Sequence, residues 1–307
     1  MKGLELARLS FENVGLPALE RELPQLLPRM AVGLAGEGSE CFGFDDELSR
    51  DHDWGAGFCI WLEEEDYLTW GVRVQELYEG LDWKGAGLPL RREQPEAAGR
   101  VGCISTQRWY TRYTACPQGP DTLEQWRRVP EDFLATATNG EIFCDPLGRF
   151  SAVRTKLLRF YPEDVRIKKL TARAAVMAQA GQYNYPRCAR RGENVAAQLA
   201  LAEFTRAAMS MVYLLNRRYM PYYKWAHRGM AQLPILPLVG EWLAQLSSLP
   251  PDGQGEALVE RICAAAAEQL RVQGLSGSES SFLLDHCPGM MDKIRDPELR
   301  KSHIMEG

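Results

Sequence analysis

Two short motifs near the N-terminus combine groups that bind phosphate with groups that bind a metal. Gly38-Ser39 is followed, after eleven intervening residues, by Asp51-His52-Asp53. Glycine lets backbone amides approach a phosphate closely, and a neighbouring serine hydroxyl can hydrogen-bond the same group. Alternate side chains of a strand share a face, so Asp51 and Asp53 would lie side by side and repel without a cation between them. Magnesium suits such a pair and leaves coordination positions for the oxygens of a triphosphate.

The elements around these motifs are predicted from hydrophobic runs. Met30–Ala35 and Phe58–Leu62 are apolar and typical of buried strands, so Gly-Ser would follow a first strand and the aspartates would be carried by a second. Further strand-like runs occur at Arg100–Tyr113 and Glu141–Cys144. Together with flanking helices, these segments predict an α+β domain with a mixed sheet over residues 1–155.

The second half of the chain is richer in helix-forming residues. Helical periodicity runs through Glu163–Ala180, Glu193–Tyr219 and Glu256–Val272. These segments predict a C-terminal helical bundle over residues 156–275. The Gly- and Ser-rich stretch that follows predicts a less ordered tail over residues 276–307.

The order of the N-terminal motifs is also that of a known superfamily. Gly-Ser, a spacer and Asp-x-Asp on the next strand resembles the nucleotidyltransferases that include DNA polymerase beta and the aminoglycoside nucleotidyltransferases. The wider run Asp45–Gly55 is similar, more particularly, to a bacterial nucleotidyltransferase-like family catalogued as a domain of unknown function. That narrower resemblance also covers Asn139–Gly148, Tyr183–Arg187 and Leu214–Trp225. It implies the chemistry but does not identify the acceptor.

The superfamily resemblance implies a third carboxylate, which ligates a metal and assists deprotonation of the attacking hydroxyl. Asp145, next to Pro146 at the end of a short strand-like run, is the first candidate. An aspartate before proline also commonly initiates a turn, and the sequence favours neither role over the other. Glu141, Glu193 and Glu203 are alternatives, because some relatives take the base from the helical domain.

Basic residues of the helical half could offset the charge of a triphosphate. Arg187 and Arg191 are four positions apart, so one helical face could present two guanidiniums to phosphate oxygens. Lys224 follows a tyrosine-rich turn and resembles a lysine of the narrower family. The aromatic residues of that turn, Tyr222 and Tyr223, could stack on a base. Solvated surface charge and ordinary ring packing are the competing interpretations.

Composition limits the classes of function. A chain of 307 residues with 45% hydrophobic and 25% charged residues is typical of a globular protein large enough for two domains. The net charge of −5 argues against a surface for duplex nucleic acid. The eight cysteines form no C-x-x-C pair, the N-terminus lacks a signal-peptide core, and no apolar run reaches the roughly 20 residues of a membrane span. We therefore expect a cytoplasmic protein with reduced cysteines.

The sequence thus predicts a two-domain enzyme that transfers an NMP group from an NTP to a hydroxyl and releases pyrophosphate. Two Mg²⁺ ions, or alternatively Mn²⁺, would be held by Asp51, Asp53 and Asp145, and ATP is the favoured nucleotide. The nucleotide would contact Gly38, Ser39, Arg187, Arg191 and Lys224. The expected acceptor is a small molecule, with a protein or tRNA end less favoured. The alternative is a nucleotide-binding or regulatory module that transfers nothing.

Overall fold

A computed structural model describes residues 1–50, 54–91 and 99–307 of the protein. Within these residues one four-stranded sheet has the strand order β3-β2-β1-β4. The strands are β1 (Met30–Leu34), β2 (Cys59–Leu62), β3 (Gly102–Ser105) and β4 (Glu141–Cys144). Strands combined with many helices confirm the predicted α+β class with a mixed sheet.

The directions of the strands decide which loops share an end of the sheet. Strand β1 is antiparallel to both of its neighbours, and β2 is parallel to β3. Gly33 of β1 pairs with Cys59 of β2, and Leu34 pairs with Glu141 of β4. All residues of β1 and β2 are buried, as expected for apolar strands covered on both faces. The C-terminal end of β1 therefore lies beside the starts of β2 and β4.

Seven α-helices are described in the first half of the chain. They are α1 (Gly3–Ser10), α2 (Leu16–Glu22), α3 (Glu64–Glu79), α4 (Thr106–Thr114), α5 (Leu123–Arg128), α6 (Glu131–Thr138) and α7 (Arg149–Leu158). The prediction of a strand over Arg100–Tyr113 is wrong beyond Ser105. The Ser105 hydroxyl accepts a hydrogen bond from the Arg108 amide at 3.2 Å, and this N-cap starts α4.

The remaining helices belong to the C-terminal half. They are α8 (Glu163–Val176), α9 (Tyr185–Arg190), α10 (Asn194–Leu215), α11 (Tyr223–Met230), α12 (Leu238–Ser247), α13 (Glu256–Val272), α14 (Cys287–Met291) and α15 (Pro297–Lys301). Three long predicted helices are confirmed as α8, α10 and α13, and α13 has the predicted bounds. A π-helical segment, Met177–Asn184, continues α8. In the described parts of the chain, no helix is long and apolar enough to cross a membrane.

Internal contacts divide the chain into two compact units. The first comprises Met1–Pro120 with Phe133–Arg159, and the second comprises Asp121–Asp132 with Phe160–Gly307. These ranges differ from the predicted domains because 121–132 joins the second unit. Residues 276–307, predicted as a tail, also belong to the second unit. Their side chains Leu283, Met290 and Ile294 are fully buried.

Aromatic rings hold two helices of the first unit against its sheet. The ring of Trp61 on β2 stacks on Phe150 of α7 with centroids 4.1 Å apart, and it meets Trp109 of α4 edge-on at 5.4 Å. The Tyr110 hydroxyl donates a hydrogen bond of 2.8 Å to the Phe150 carbonyl. Large rings in such offset and edge-to-face pairs dominate the energetics of a core. These ring contacts therefore hold α4 and α7 against the central strand β2.

The second unit has charged groups in its interior. Helix α8 is buried along most of its length although it carries Arg166, Lys168, Lys169 and Arg173. A buried charge is costly unless it has partners. The Nε of Arg166 donates to the Leu214 carbonyl at 3.1 Å, and Lys168 donates to a backbone carbonyl at 2.6 Å. The packing around α8 is thus polar as well as apolar.

Candidate functional site

The loop that follows β1 is fixed by the segment that precedes β4. The Gly36 amide donates to Asn139 Oδ1 at 2.9 Å, and Asn139 Nδ2 donates to the Gly36 carbonyl at 2.6 Å. The Gly140 amide donates to the Cys41 carbonyl at 2.8 Å. Gly140 has φ +68°, and an added Cβ would collide with the Leu34 carbonyl. Only glycine therefore allows this close approach of backbone to backbone.

Ser39 lies in the loop that follows β1, as predicted, and its role in binding phosphate stays a prediction. It precedes a single 3₁₀ turn, Glu40–Phe42, rather than a longer helix. The Ser39 carbonyl accepts a hydrogen bond of 2.9 Å from the Phe44 amide. Its side chain is half-buried and makes no capping hydrogen bond to the described residues of that turn. The hydroxyl is therefore available to hydrogen-bond an oxygen of a ligand.

Gly38, which was predicted to let the backbone approach a phosphate, also leaves room for a neighbouring side chain. An added Cβ at Gly38 would collide with the carboxylate of Glu40. Glu40 is buried, and its Oε1 accepts a hydrogen bond of 3.0 Å from Nη2 of the equally buried Arg91. One side of the Gly38-Ser39 loop is thus occupied by a buried ion pair. A phosphate would have to approach the loop from a side that this pair does not occupy.

Asp51 and Asp53 lie outside the described residues, so their placement on one face stays a prediction. The first described residue after them is Trp54, whose indole nitrogen lies 3.4 Å from Asp45 Oδ2. Asp45 also accepts a hydrogen bond of 2.9 Å from the Gly3 amide at the start of α1. Asp45 therefore has a structural role in this loop.

The described chain on either side of the two aspartates leads to the Gly-Ser loop. Strand β2 begins at Cys59, opposite Gly33 near the end of β1. Residues 54–58 therefore approach the sheet at the end from which the loop containing Ser39 departs. Residues 54–58 do not form a strand, so the prediction that the second strand extends from Leu62 back to the two aspartates is wrong over these residues. The antiparallel register brings the two motifs toward the same end of the sheet.

Asp145 lies at the opposite end of the sheet. Glu141 pairs with Leu34, and the antiparallel register carries β4 away from the Gly-Ser loop. At about 3.3 Å per residue, Asp145 follows Glu141 by about 13 Å along the strand. Its Oδ2 accepts a hydrogen bond of 2.7 Å from the Ser151 amide near the start of α7. The structure therefore does not bring Asp145 together with Ser39.

The three alternative carboxylates occupy different environments. Glu141 begins β4 at the same end as the Gly-Ser loop and is paired with Arg8. Glu193 precedes α10 as an exposed residue, and Glu203 is exposed on α10. Only Glu141 belongs to the unit that contains Ser39. Glu141 is therefore the alternative that the topology favours.

The predicted basic residues all lie in the second unit and are exposed. The guanidinium of Arg187 lies over the Tyr183 ring, 4.5 Å from its centroid, and Arg191 follows the end of α9. Lys224 lies in the first turn of α11, with its ammonium 5.1 Å from the centroid of a Trp225 ring. These contacts use the faces of the rings and leave the cations exposed to solvent. Their role in binding phosphate stays a prediction.

Sequence reasoning missed the arginines that surround the Gly-Ser loop. Glu37 accepts from Arg112 Nη2 at 2.8 Å and lies 3.5 Å from Arg100 Nη2. Arg154 donates to the Asn139 carbonyl at 2.7 Å, and burial lowers the pKa of its guanidinium. These arginines are far from the loop in sequence, so no local spacing could have revealed them. A phosphate near the loop would compete with Glu37 for Arg100 and Arg112.

A buried polar cluster in the second unit was also missed. Oε1 of Glu131 accepts from the Ser210 hydroxyl at 2.6 Å and from Arg173 Nη2 at 3.2 Å. Lys169 donates to a backbone carbonyl at 3.1 Å, and its ammonium lies 5.1 Å from the centroid of the Tyr161 ring. Burial lowers the pKa of Lys169 to about 8, against the opposing effect of Glu131. The residues of this cluster come from four separate segments of the sequence, so motif analysis could not reveal it.

Comparison with protein families gives one match. Residues 126–226 match a family described as Domain of unknown function (DUF4037). This range includes most of the segments that suggested the narrower resemblance but not Asp45–Gly55. Searches of curated proteins and of solved structures gave no match. Among the described residues, which exclude 51–53 and 92–98, no group of three or more His, Cys, Asp or Glu side chains is arranged to hold a metal.

Proposed function

We propose that the protein is a metal-dependent nucleotidyltransferase whose nucleotide site lies at the C-terminal end of β1. The observation that carries this proposal is the antiparallel pairing of β1 with β2. This pairing directs the Gly38-Ser39 loop and the chain that follows Asp53 to one end of the sheet. A phosphate-binding loop and an Asp-x-Asp pair at one end of a sheet are what the proposed reaction requires.

The chemistry of the donor groups fits magnesium. Asp51 and Asp53 would provide hard carboxylate oxygens, and phosphate oxygens of the nucleotide would complete the coordination. The bound metal would offset the charge of the triphosphate. The Ser39 hydroxyl would donate to a phosphate oxygen, and backbone amides near Gly38 would approach the same group. Arg100 and Arg112 are the nearby cations that Glu37 holds in place.

The proposed reaction transfers one nucleotidyl group. A hydroxyl oxygen of the acceptor would form a bond to the α-phosphorus of the NTP, the bond to the bridging oxygen would break, and pyrophosphate would leave. The hydroxyl proton would pass to a carboxylate. Asp145 and Glu141 are the candidates that belong to the first unit, and Glu141 is the one at the loop end of the sheet. Contacts of a triphosphate with Arg187, Arg191 and Lys224, which all belong to the second unit, stay a prediction from the sequence.

Release of pyrophosphate tests the proposal. Wild-type protein, Asp53→Asn and Ser39→Ala would be incubated with each of the four NTPs, Mg²⁺ and a cell metabolite extract. Asp53→Asn keeps the size of the side chain but removes its charge, so release should fall by about a hundredfold or more. The exposed Asp252→Asn in the second unit is a matched control and should leave release unchanged. Equal release from Asp53→Asn and wild type would reject the proposed metal site.

A second candidate function has an observation in its favour. Asp145, the first candidate for the deprotonating carboxylate, lies at the opposite end of β4 and binds the Ser151 amide. A protein that binds a nucleotide without transferring it needs no such carboxylate. In that case Mg²⁺ and NTP would bind to wild type but not to Asp53→Asn, and no labelled nucleotide would appear in any acceptor. Mass spectrometry of the reaction products separates the two candidates.

A further inference from the structure

A cavity in the second unit lies beside the buried polar cluster. Its volume is about 900 Å³, and every residue that lines it belongs to the second unit. The walls come from the segment before α6, from α8 and α10, and from the turn that precedes α11. Pockets that enclose organic ligands have volumes of about 300–1,000 Å³. The cavity is therefore large enough for a molecule of nucleotide size.

The floor of this cavity contains an acceptor that lacks a donor. Glu131 lines the cavity and is 7% exposed. Its Oε1 is hydrogen-bonded twice, but Oε2 is shielded from solvent and has no hydrogen-bond partner in the described part of the chain. A buried acceptor without a donor is destabilising, and such groups often mark a site that a ligand or an ordered water completes. Once the side chains that cover Oε2 shift, a hydroxyl or amine of a ligand would supply the donor.

The same floor contains a cation with unused hydrogen-bonding capacity. Lys169 is 3% exposed and lines the cavity. An ammonium group has three N–H donors. The described residues provide Lys169 with one hydrogen-bond acceptor, the Arg127 carbonyl, and with the face of one ring. The cavity is lined by five basic side chains, against three acidic ones, so two positive charges are in excess; the basic ones are Arg127, Arg128, Lys169, Arg173 and Arg206, and the acidic ones are Glu131, Asp132 and Glu203. An anionic group on the ligand would balance them.

Aromatic rings form another part of the wall. Tyr222 and Tyr223 line the cavity with ring centroids 4.4 Å apart, and their side chains are 49% and 70% exposed. Such exposed rings can stack on a flat ring of a ligand. Met209 and Met220 add adaptable apolar surface nearby. The cavity thus offers contacts for an anion, for a hydrogen-bond donor and for a flat ring.

We infer that this cavity binds a hydroxylated organic phosphate that carries an aromatic ring, with the phosphate at Lys169, a hydroxyl at Glu131 and the ring at Tyr222 and Tyr223. A nucleoside monophosphate is the simplest molecule with all three groups. This inference uses only residues of the second unit and does not rest on the nucleotide site proposed for the first. The two proposals can therefore fail separately.

Calorimetric titration of the full chain tests the inference with three probes in the presence of EDTA. AMP has all three groups, ribose 5-phosphate lacks the ring, and inorganic phosphate lacks the ring and the sugar. We expect the affinity to fall in that order. Lys169→Met should weaken AMP and ribose 5-phosphate by roughly tenfold or more, because it removes a hydrogen bond from a charged donor. Lys293→Met, an exposed lysine outside the cavity, should change neither.

An exposed aromatic residue provides a test that does not depend on a buried substitution. Tyr223→Ala should weaken AMP several-fold and leave ribose 5-phosphate unchanged, because only AMP has a ring to stack. Tyr183→Ala removes another half-exposed tyrosine of the second unit that does not line the cavity, and it should have no effect. If Lys169→Met does not fold, this pair of variants decides the result.

Three results would overturn the inference. The first is that neither AMP nor ribose 5-phosphate binds the wild-type chain. The second is that AMP binds equally to wild type, Lys169→Met and Tyr223→Ala. The third is that AMP binding disappears in Asp53→Asn but survives in Tyr223→Ala, which would assign the bound AMP to the first unit. That third result would leave the proposed nucleotidyltransferase site intact.

Discussion

The Gly-Ser loop of the first unit and the polar cluster of the second unit differ in how completely their buried charges are paired. In the loop, Glu40 is paired directly with Arg91 at 3.0 Å, and both side chains are less than 10% exposed. In the cluster, Glu131 has one oxygen without a partner among the described residues, and Lys169 has a lowered pKa. The buried pair therefore supports the backbone of the loop and needs no further partner. The cluster has hydrogen-bonding capacity left for a ligand.

The difference predicts where substitutions should destabilise and where they should alter binding. Removing one member of a completed buried pair leaves an unbalanced charge, which costs more than the pair contributes. Removing an incompletely balanced buried charge relieves a penalty that the folded state already carries. Substitutions in the two regions should therefore have opposite effects on stability.

The largest effect is expected at the buried pair of the loop. Glu40→Ala should lower the free energy of unfolding by roughly 3–5 kcal/mol, because Arg91 would stay buried without its carboxylate. Glu37→Ala, three positions away in the same loop, removes a carboxylate that is 36% exposed and should cost less than about 1 kcal/mol. Urea denaturation measures both. Equal losses in the two variants would show that the Glu40–Arg91 pair is not the support of the loop.

The next effect is a dependence of stability on pH at Lys169. Its pKa is about 8 in the folded protein against an ordinary value of 10.5, so between these pH values the unfolded chain binds more protons. Stability from this group therefore rises as the pH increases from 8 to 10.5 and is lowest below pH 8. Lys169→Met removes this dependence.

Comparing the two proteins isolates the contribution of Lys169 from all other titrations. The free energy of unfolding of wild type minus that of Lys169→Met should rise by on the order of 3 kcal/mol between pH 8 and pH 10.5. Guanidinium denaturation at several pH values measures this difference. A difference that stays constant with pH would mean that the Lys169 ammonium is not destabilised by burial.

A smaller loss is expected from the side chain that fixes the Gly-Ser loop. Asn139→Ala removes both hydrogen bonds to Gly36, which should cost about 1–2 kcal/mol. Asn139→Asp keeps an acceptor for the Gly36 amide but has no donor for the Gly36 carbonyl. This variant should therefore also be less stable than wild type. The exposed Asn184→Ala is the control. Thermal unfolding that is unchanged in Asn139→Ala would contradict the proposed support.

The smallest effects on stability are expected at the two carboxylates that flank β4. Glu141→Gln and Asp145→Asn should each lower the free energy of unfolding by less than about 1 kcal/mol, because Glu141 is exposed and Asp145 is only half-buried. Pyrophosphate release should distinguish them. Glu141 shares the loop end of the sheet, so Glu141→Gln should lower the rate more than Asp145→Asn. A greater loss in Asp145→Asn would assign the deprotonating role to Asp145 instead.

The fold could be predicted from sequence where a single physical pattern dominates. The long helices α8, α10 and α13 have a sustained helical period, and the central strands β1 and β2 are continuous apolar runs. The prediction of a strand over Arg100–Tyr113 was wrong in its second part because the aromatic and β-branched residues of this segment favour a strand. The Ser105 N-cap and the packing of Trp109 on Trp61 make most of it helical instead.

The candidate site could be predicted only in its local part. Gly38 and Ser39 stand out by type and spacing, whereas the contacts of Asn139 with Gly36 join residues 103 positions apart. The position of Asp145 depends on the antiparallel direction of β4, which its own sequence does not specify. The cluster of Glu131, Lys169 and Ser210 likewise depends on tertiary packing. Long-range pairing of this kind leaves no periodic trace in the sequence.

The metal-dependent part of ATP binding tests the central claim most directly. The thermal midpoint of unfolding would be measured with ATP and Mg²⁺ and again with ATP and EDTA, for wild type, Asp53→Asn and Lys169→Met. A ligand that binds only the folded state raises this midpoint by mass action. We predict that Mg²⁺ raises the midpoint of wild type and Lys169→Met by the same amount and that of Asp53→Asn not at all. An equal magnesium-dependent rise in Asp53→Asn and wild type would contradict a nucleotide site at the Gly-Ser loop.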